Sequence, residues 1–231
     1  MITITELRCA YGQRTVLEIP SASFAHGVHG IVGLNGAGKT TFLNALYGFG
    51  RQDGSSVQRN SSDLGRINCS FLETENYFHP GITGREYLDL FMSGPGTADV
   101  RPLNELLEVP LDALITTYST GMRRKLALLG VLALDRPVVL LDEPMNGLDL
   151  ASTRVLEAII RRLSEQGRTV FVTSHVLGPL VALCHRIHLL QQGRFTRVFE
   201  RGSTEGLEQA LFADVDTRTA SVMRSWGGFK P

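Results

Sequence analysis

Three features predict an α/β fold on a mostly parallel sheet, with an N-terminal antiparallel β subdomain and a helical subdomain. The first is G-L-N-G-A-G-K-T-T at Gly33 to Thr41, which spells GxxxxGK[ST], the phosphate-binding loop of nucleotide hydrolases. The second is Val138-Val139-Leu140-Leu141-Asp142, an unbroken apolar run suited to a parallel strand buried on both faces. The third is the alternation of strand-like and helix-like segments from there to the end of the domain.

In chain order, Ile2–Arg8, Thr15–Ile19 and Ala22–Ala25 read as short strands of a small antiparallel sheet. Val28 to Val32 is a β-branched strand leading into the glycine loop. Phe42, Leu43, Leu46 and Tyr47 then recur at helical spacing until Gly48 offers a stop. Residues 50–66 are polar loops plus an irregular strand. From Gly84 to Leu134 the pattern is helical, divided by Pro95, Pro102 and Pro110. After the apolar run, Val155, Leu156, Ile159, Ile160 and Leu163 mark an amphipathic helix ended by Gly167. Thr169–Ser174 is a strand, Gly178–Cys184 a short helix and Arg186–Leu190 another strand. Gln192-Gly193 turns a hairpin into Phe195–Phe199. A short helical pattern and a Gly-rich end follow Gly202.

Composition bounds the function. The 231 residues are 43% hydrophobic and 20% charged, ordinary values for a globular α/β domain. Lys+Arg and Asp+Glu both number 23, and such neutrality argues against nucleic acid as a partner. Cys9, Cys69 and Cys184 are widely spaced without a metal-ligand pattern, so free thiols in a reducing cytosol are expected. Met1 to Glu6 lacks the basic start and apolar run of a secretory signal. The longest apolar stretch, Leu126 to Leu134, is far shorter than the ~20 residues of a membrane span. Membrane contact would therefore go through another chain.

The chemistry follows from residue type. Gly33, Gly36 and Gly38 let successive backbone N–H groups converge on one anion. Lys39 is a compact cation for the β- and γ-phosphates, and the Thr40 hydroxyl suits Mg²⁺. A helix starting there aims its positive end at the phosphates. Asp142 and Glu143 end the buried strand, where α/β proteins bind ligands. Asp142 can hold Mg²⁺, directly or through water. Glu143 can polarise the water that attacks the γ-phosphate.

With these residues in order, the chain resembles the ATP-binding subunits of ABC transporters over residues 1 to about 202. The resemblance implies a RecA-like phosphate-loop domain with a helical subdomain inserted at about 76–128, and a C-terminal appendage at 203–231. It implies ATP and Mg²⁺ as cofactors. Gly33 to Thr41, including Asn35 and Thr41, matches the first nucleotide motif, and V-V-L-L-D-E-P the second. N-G-L-D, with Asp149, is similar to the family's D-loop. T-S-H carries His175 at the switch-histidine position, where it would bond the γ-phosphate and orient water beside Glu143. Tyr11 stands where the family stacks a ring on adenine. His26, His29, His79, His185 and His188 match no motif and read as loop, surface or packing residues.

Two departures are visible. The family signature LSGGQ is replaced by Y-S-T-G-M, which keeps Ser119 and Gly121 and substitutes Thr120 and Met122. Ser119 is also an N-cap candidate for the helix that follows. The family's glutamine after the next strand is absent. In F-L-E-T-E-N, Glu73 is the best match as a Mg²⁺ ligand, with Thr74 and Glu75 as neighbours that a shift of one or two residues would substitute.

The resemblance implies an ATPase driving a separate membrane-spanning permease, peripheral on the inner face of the membrane. It implies a head-to-tail dimer, with itself or a similar subunit, in which one chain's phosphate loop faces the other's Ser119 to Met122. Y-S-T-G-M and E-T-E-N…I-T-G-R-E-Y-L look most like antibiotic or bacteriocin exporters. A soluble ATPase of the same superfamily and a hydrolysis-poor ATP-binding regulatory subunit stay open. A GTPase or small-molecule kinase would leave Tyr118–Met122 idle and lacks the guanine-reading N-K-x-D.

Overall fold

Side chains alternate between faces along a strand, and two apolar cores form on the two faces of one central sheet. The computed structural model describes residues 1–52 and 54–226. β1 (Ile2–Tyr11) and β2 (Arg14–Phe24) make a long antiparallel hairpin with Ile2 opposite Phe24 and Tyr11 opposite Arg14. β2 replaces the two separate strands expected there. Pro20 does not interrupt it because β2 is an edge strand, where a missing N–H breaks no ladder bond.

β3 (Gly27–Val32) is wholly buried and leads into α1 (Lys39–Tyr47). β4 (Ser56–Arg59) and β5 (Ser62–Asp63) complete a four-stranded antiparallel sheet of order β2-β1-β4-β5. β6 (Cys69–Leu72) precedes the helical segment. That segment comprises α2 (Gly84–Met92), α3 (Asn104–Leu107) and α4 (Thr120–Ala133), with 3₁₀ turns at Arg101–Leu103 and Ile115–Thr117. A capping box starts α2: the Thr83 hydroxyl accepts from Glu86 N–H, and Glu86 accepts from Thr83 N–H.

β7 (Val138–Leu141), α5 (Leu150–Glu165), β8 (Thr169–Thr173), α6 (Leu177–Leu183), β9 (Arg186–Gln191) and β10 (Arg194–Glu200) follow. The second sheet has the order β10-β9-β3-β8-β7-β6 and is parallel except for β10. α7 (Leu207–Ser225) closes the described chain. It is longer than the short helical pattern expected. Leu207 and Leu211 are buried, Ala210 and Phe212 pack half-buried beside them, and the described side chains beyond are exposed, so no stripe announces the rest. The glycine-rich end beyond it lies outside the described residues.

Val139, Leu141, Val170, Val172, Val28 and Val32 face one core with α4, α5, α6 and the start of α7. Val138, Leu140, Phe171 and Ile31 face the other, with α1 and the antiparallel sheet. Cys9, Cys69 and Cys184 are buried and free, and burial pushes the last two thiols up to about 12. Among the described residues no helix is long and apolar enough to cross a membrane.

Candidate nucleotide-binding and hydrolysis site

Gly33 leaves β3 in close contact with β9: a Cβ there would lie 2.4 Å from the Leu190 carbonyl oxygen and 2.9 Å from Ala37 Cβ. Gly38 caps α1 at φ 105°, a left-handed conformation that glycine adopts without strain. The loop therefore turns tightly enough for the first turn of α1 to face the space above it. Lys39 Nζ lies 2.8 Å from the Gly33 carbonyl oxygen, to which it donates. Asn35, Gly36, Gly38, Lys39, Thr40 and Thr41 line a cleft of about 280 Å³ with Val16, Asp142 and Glu143. A larger cleft of about 570 Å³ shares Val16, Asn35 and Gly36 and extends to Arg14 and Gln192. Tyr11 is exposed at the tip of the β1–β2 hairpin.

Asp142 lies one residue beyond β7 and is 1% exposed. A buried carboxylate accepts only, and this one receives three hydroxyls. Oδ2 accepts from Thr40 at 2.7 Å and Thr74 at 2.8 Å, and Oδ1 from Thr173 at 2.5 Å. Thr74, rather than Glu73, reaches Asp142: both follow the end of β6 and are exposed as residues, but the Thr74 hydroxyl turns toward Asp142 Oδ2. Glu73 enters the site through its backbone carbonyl instead.

Glu143 has φ 48°, left-handed for a residue with a side chain. Such a conformation costs about 1–3 kcal/mol and persists only where the surroundings impose it. Here they do. Its N–H donates to Thr173 Oγ1 at 2.8 Å, and its Oε2 accepts from His175 N–H at 3.3 Å and lies 2.9 Å from His175 Nδ1. Glu143 is thus aimed at the same cleft as Lys39 and Thr40.

The oxygen donors Thr40, Thr74 and Asp142 suit a hard cation such as Mg²⁺, which prefers one or two carboxylates plus phosphate and water. Among the described residues no three His, Cys, Asp or Glu side chains converge as a metal cage. A Mg²⁺ ion here would share its coordination with a nucleotide.

Arg124, on α4, is buried at 6% exposure. Its Nη1 donates to the carbonyls of Glu73 and, at 3.2 Å, Thr74; its Nη2 donates to those of Asp142 at 2.5 Å and Glu143 at 3.0 Å. Burial pulls the guanidinium down to about 10, against the fields of Asp142 and Glu143, so it remains charged at neutral pH. Sequence reasoning missed this residue, since an arginine on a helix reads as solvent-facing.

Ser119, Gly121 and Asp149 form a separate group. The Ser119 hydroxyl accepts from Met122 N–H and caps α4. A Cβ at Gly121 would lie 2.8 Å from the Gly147 carbonyl oxygen, so glycine lets α4 pack against that loop. Asp149 caps α5 through Ser152 N–H at 2.7 Å and lies 3.8 Å from Lys125 Nζ. None of these residues lines the phosphate cleft.

Fold and loop define a phosphate-loop nucleotide-binding protein. The family model described as ABC transporter matches residues 18–146, more than half of the chain. The chain belongs to the ABC transporter family. It is 31% identical over 208 residues to Nod factor export ATP-binding protein I of Paraburkholderia xenovorans, covering 84% of this chain and 68% of that protein. It is 34% identical over 200 residues to an uncharacterized ABC transporter ATP-binding protein of Synechocystis, covering 79% and 56%. The chain thus spans about half to two thirds of these relatives' length. A solved ATP binding subunit of an ABC transporter superposes with a TM-score of 0.82 at 21% identity, covering 91% of this chain and 99% of that one. At that identity it shows the fold.

Proposed function

We propose that this chain hydrolyses Mg²⁺-bound ATP and so powers transport through a membrane-spanning partner on a separate chain. The observation that carries the reading is the meeting of Glu143, strained and held against His175, with Asp142 and the phosphate loop. Lys39 and the loop N–H groups bind the β- and γ-phosphates. Thr40, Asp142 and Thr74 would hold Mg²⁺, which offsets negative charge as the γ-phosphoryl group leaves. Glu143 accepts a proton from the attacking water, and His175 orients Glu143 and contacts the γ-phosphate. Tyr11 stacks on the base.

Ser119 and Gly121 lie outside the phosphate cleft, which favours a dimer in which each chain completes its partner's site. The partner is a polytopic permease that holds the subunit on the inner face of the membrane. The 1–202 segment is the working domain, with the helical segment its docking surface and 203–231 an appendage. The substrate is exported, a direction supported by likeness to a protein named for Nod factor export.

The test is steady-state ATP hydrolysis by the purified chain, titrated with Mg²⁺ and with protein, and its co-purification with a co-expressed permease. Activity that rises more than linearly with subunit concentration supports the shared site. Absence of Mg²⁺-dependent hydrolysis both alone and with the permease would overturn the catalytic reading.

A further inference from the structure

The four bonds of Arg124 are unusual in their targets. One guanidinium reaches four backbone carbonyls, two in the Glu73–Thr74 segment after β6 and two in the Asp142–Glu143 segment after β7. These segments carry Thr74 Oγ1, Asp142 and the strained Glu143. β6 and β7 are neighbouring parallel strands, but their ladder ends with the pair Leu72 and Leu141. Past that pair, Asp142 N–H still donates to the Leu72 carbonyl at 2.9 Å. Beyond that bond the segments are spanned by Arg124 and by the Thr74–Asp142 contact. Arginine is suited to the task because its planar fork presents several donors in fixed directions.

Resting on the reading above, we propose that Arg124 is a positioning residue for hydrolysis. By clamping both segments from α4, it sets the Thr74 hydroxyl against Asp142 and holds Glu143 in its left-handed conformation. Among the described residues, the hydrogen bonds of Arg124 go to the four carbonyls and to no residue of the phosphate loop. Nucleotide capture by the loop is therefore separable from what Arg124 does. The Mg²⁺ response and the hydrolytic step depend on it, and capture does not.

The experiment compares the full chain with Arg124→Met, Arg124→Lys, Thr74→Val and the double variant Arg124→Met/Thr74→Val. Thermal unfolding first establishes which are folded. A fluorescent ATP analogue is then titrated in EDTA and in Mg²⁺, and ATP hydrolysis is measured across Mg²⁺ concentrations. In EDTA, all variants should bind the analogue within about threefold of the wild type. Arg124→Met should lose most of the tightening that Mg²⁺ brings, need roughly tenfold more Mg²⁺ for half-maximal hydrolysis, and lower kcat by about 10²-fold with KM for ATP little changed. Arg124→Lys should recover part of both, because one ammonium can bond one segment and not four carbonyls at once. If Arg124 acts through Thr74, the Mg²⁺ shift of the double variant should equal that of Thr74→Val, whereas kcat should fall further through Glu143.

Additive Mg²⁺ shifts, or an Arg124→Met chain with normal Mg²⁺ response and kcat, would overturn the proposal. So would weakened binding in EDTA to the same degree as in Mg²⁺, which a merely structural role predicts. Should Arg124→Met not fold, Arg124→Lys carries the same comparisons, with a Mg²⁺ shift of about threefold expected and a wild-type response overturning the idea. Should the wild type bind nucleotide without hydrolysing it, the hydrolytic reading fails while the Mg²⁺-linked binding still tests the clamp.

Discussion

Glu143 pairs an unfavourable backbone with favourable side-chain contacts, and that pairing says what its replacement should do. Glu143→Gln preserves the backbone bond to Thr173 and a hydrogen-bonding contact with His175, so folding should be unaffected. What is lost is a carboxylate able to take a proton. Loss of a general base typically costs roughly 10²–10⁴-fold in rate, which is about 3–5 kcal/mol of barrier. Hydrolysis should fall by that factor while the Kd for ATP changes little, a split read by rate assay and nucleotide titration. Near wild-type turnover would remove Glu143 from its role. Glu73 stands differently. Its carboxylate is exposed and only its carbonyl is engaged, so Glu73→Gln should leave the Mg²⁺ response of hydrolysis within about twofold of wild type. A larger change in the Mg²⁺ titration would restore Glu73 as a ligand.

At the scale of elements, the β9–β10 turn shows how backbone geometry supports the loop. Gln192 and Gly193 both have positive φ, the pattern of a tight hairpin turn. Gly193 N–H donates to the Ala37 carbonyl in the phosphate loop, and its own carbonyl accepts from Glu18 N–H on β2. A Cβ on Gly193 would lie 2.2 Å from the Val16 carbonyl oxygen. Gly202 has similar left-handed φ but open space around it. Gly202→Ala should therefore cost only the left-handed strain, about 1–2 kcal/mol. Gly193→Ala adds a backbone clash of about 1–3 kcal/mol and should also weaken ATP binding, since the displaced turn releases Ala37. Thermal unfolding and nucleotide titration of the pair check this; equal effects would show that the clash relaxes freely.

Elements also show what was legible beforehand. The phosphate loop, β7 and the fold class could be read because each needs a particular spelling over consecutive residues. Thr74 could not be chosen over Glu73, since both lie just past β6 and the choice turns on which side chain the following bend directs at Asp142. Arg124 left no trace in periodicity, because its burial comes from α4 passing beneath two loops distant in sequence. The break expected between Ile19 and Ala22 is absent, because an edge strand tolerates Pro20 and β2 runs through it.

At the scale of the whole molecule, the junction between the two sheets carries a prediction about pH. Phe24 of β2, Phe42 of α1, Phe171 of β8 and Phe195 of β10 pack with His29 of β3 and His188 of β9 in one aromatic cluster. The two imidazoles lie 3.1 Å apart, His29 Nδ1 to His188 Nε2, and His29 Nε2 lies 2.9 Å from the Ala25 carbonyl oxygen. Neutral rings satisfy this chain, with one nitrogen donating and its neighbour accepting. Burial depresses both, His29 to about 4 and His188 to about 3, from the ordinary 6.5. Between about 4 and 6.5 the unfolded chain therefore binds protons that the folded chain does not, and stability falls as pH falls through that window. From pH 7.5 to 5.5 each histidine should remove about 1.4 kcal/mol, roughly 3 kcal/mol for the pair. Asp99, held down to about 2 mainly by its hydrogen bond with Arg101, loses its contribution only below about 3.8, so the two effects separate on the pH axis. Denaturant midpoints at pH 7.5 and 5.5 measure the loss. His188→Gln retains a hydrogen-bonding partner for His29 and should remove about half of it. If stability is level across that interval, the pair accepts a proton in the folded state and the cores on the two faces of the sheet are less dry than the packing implies.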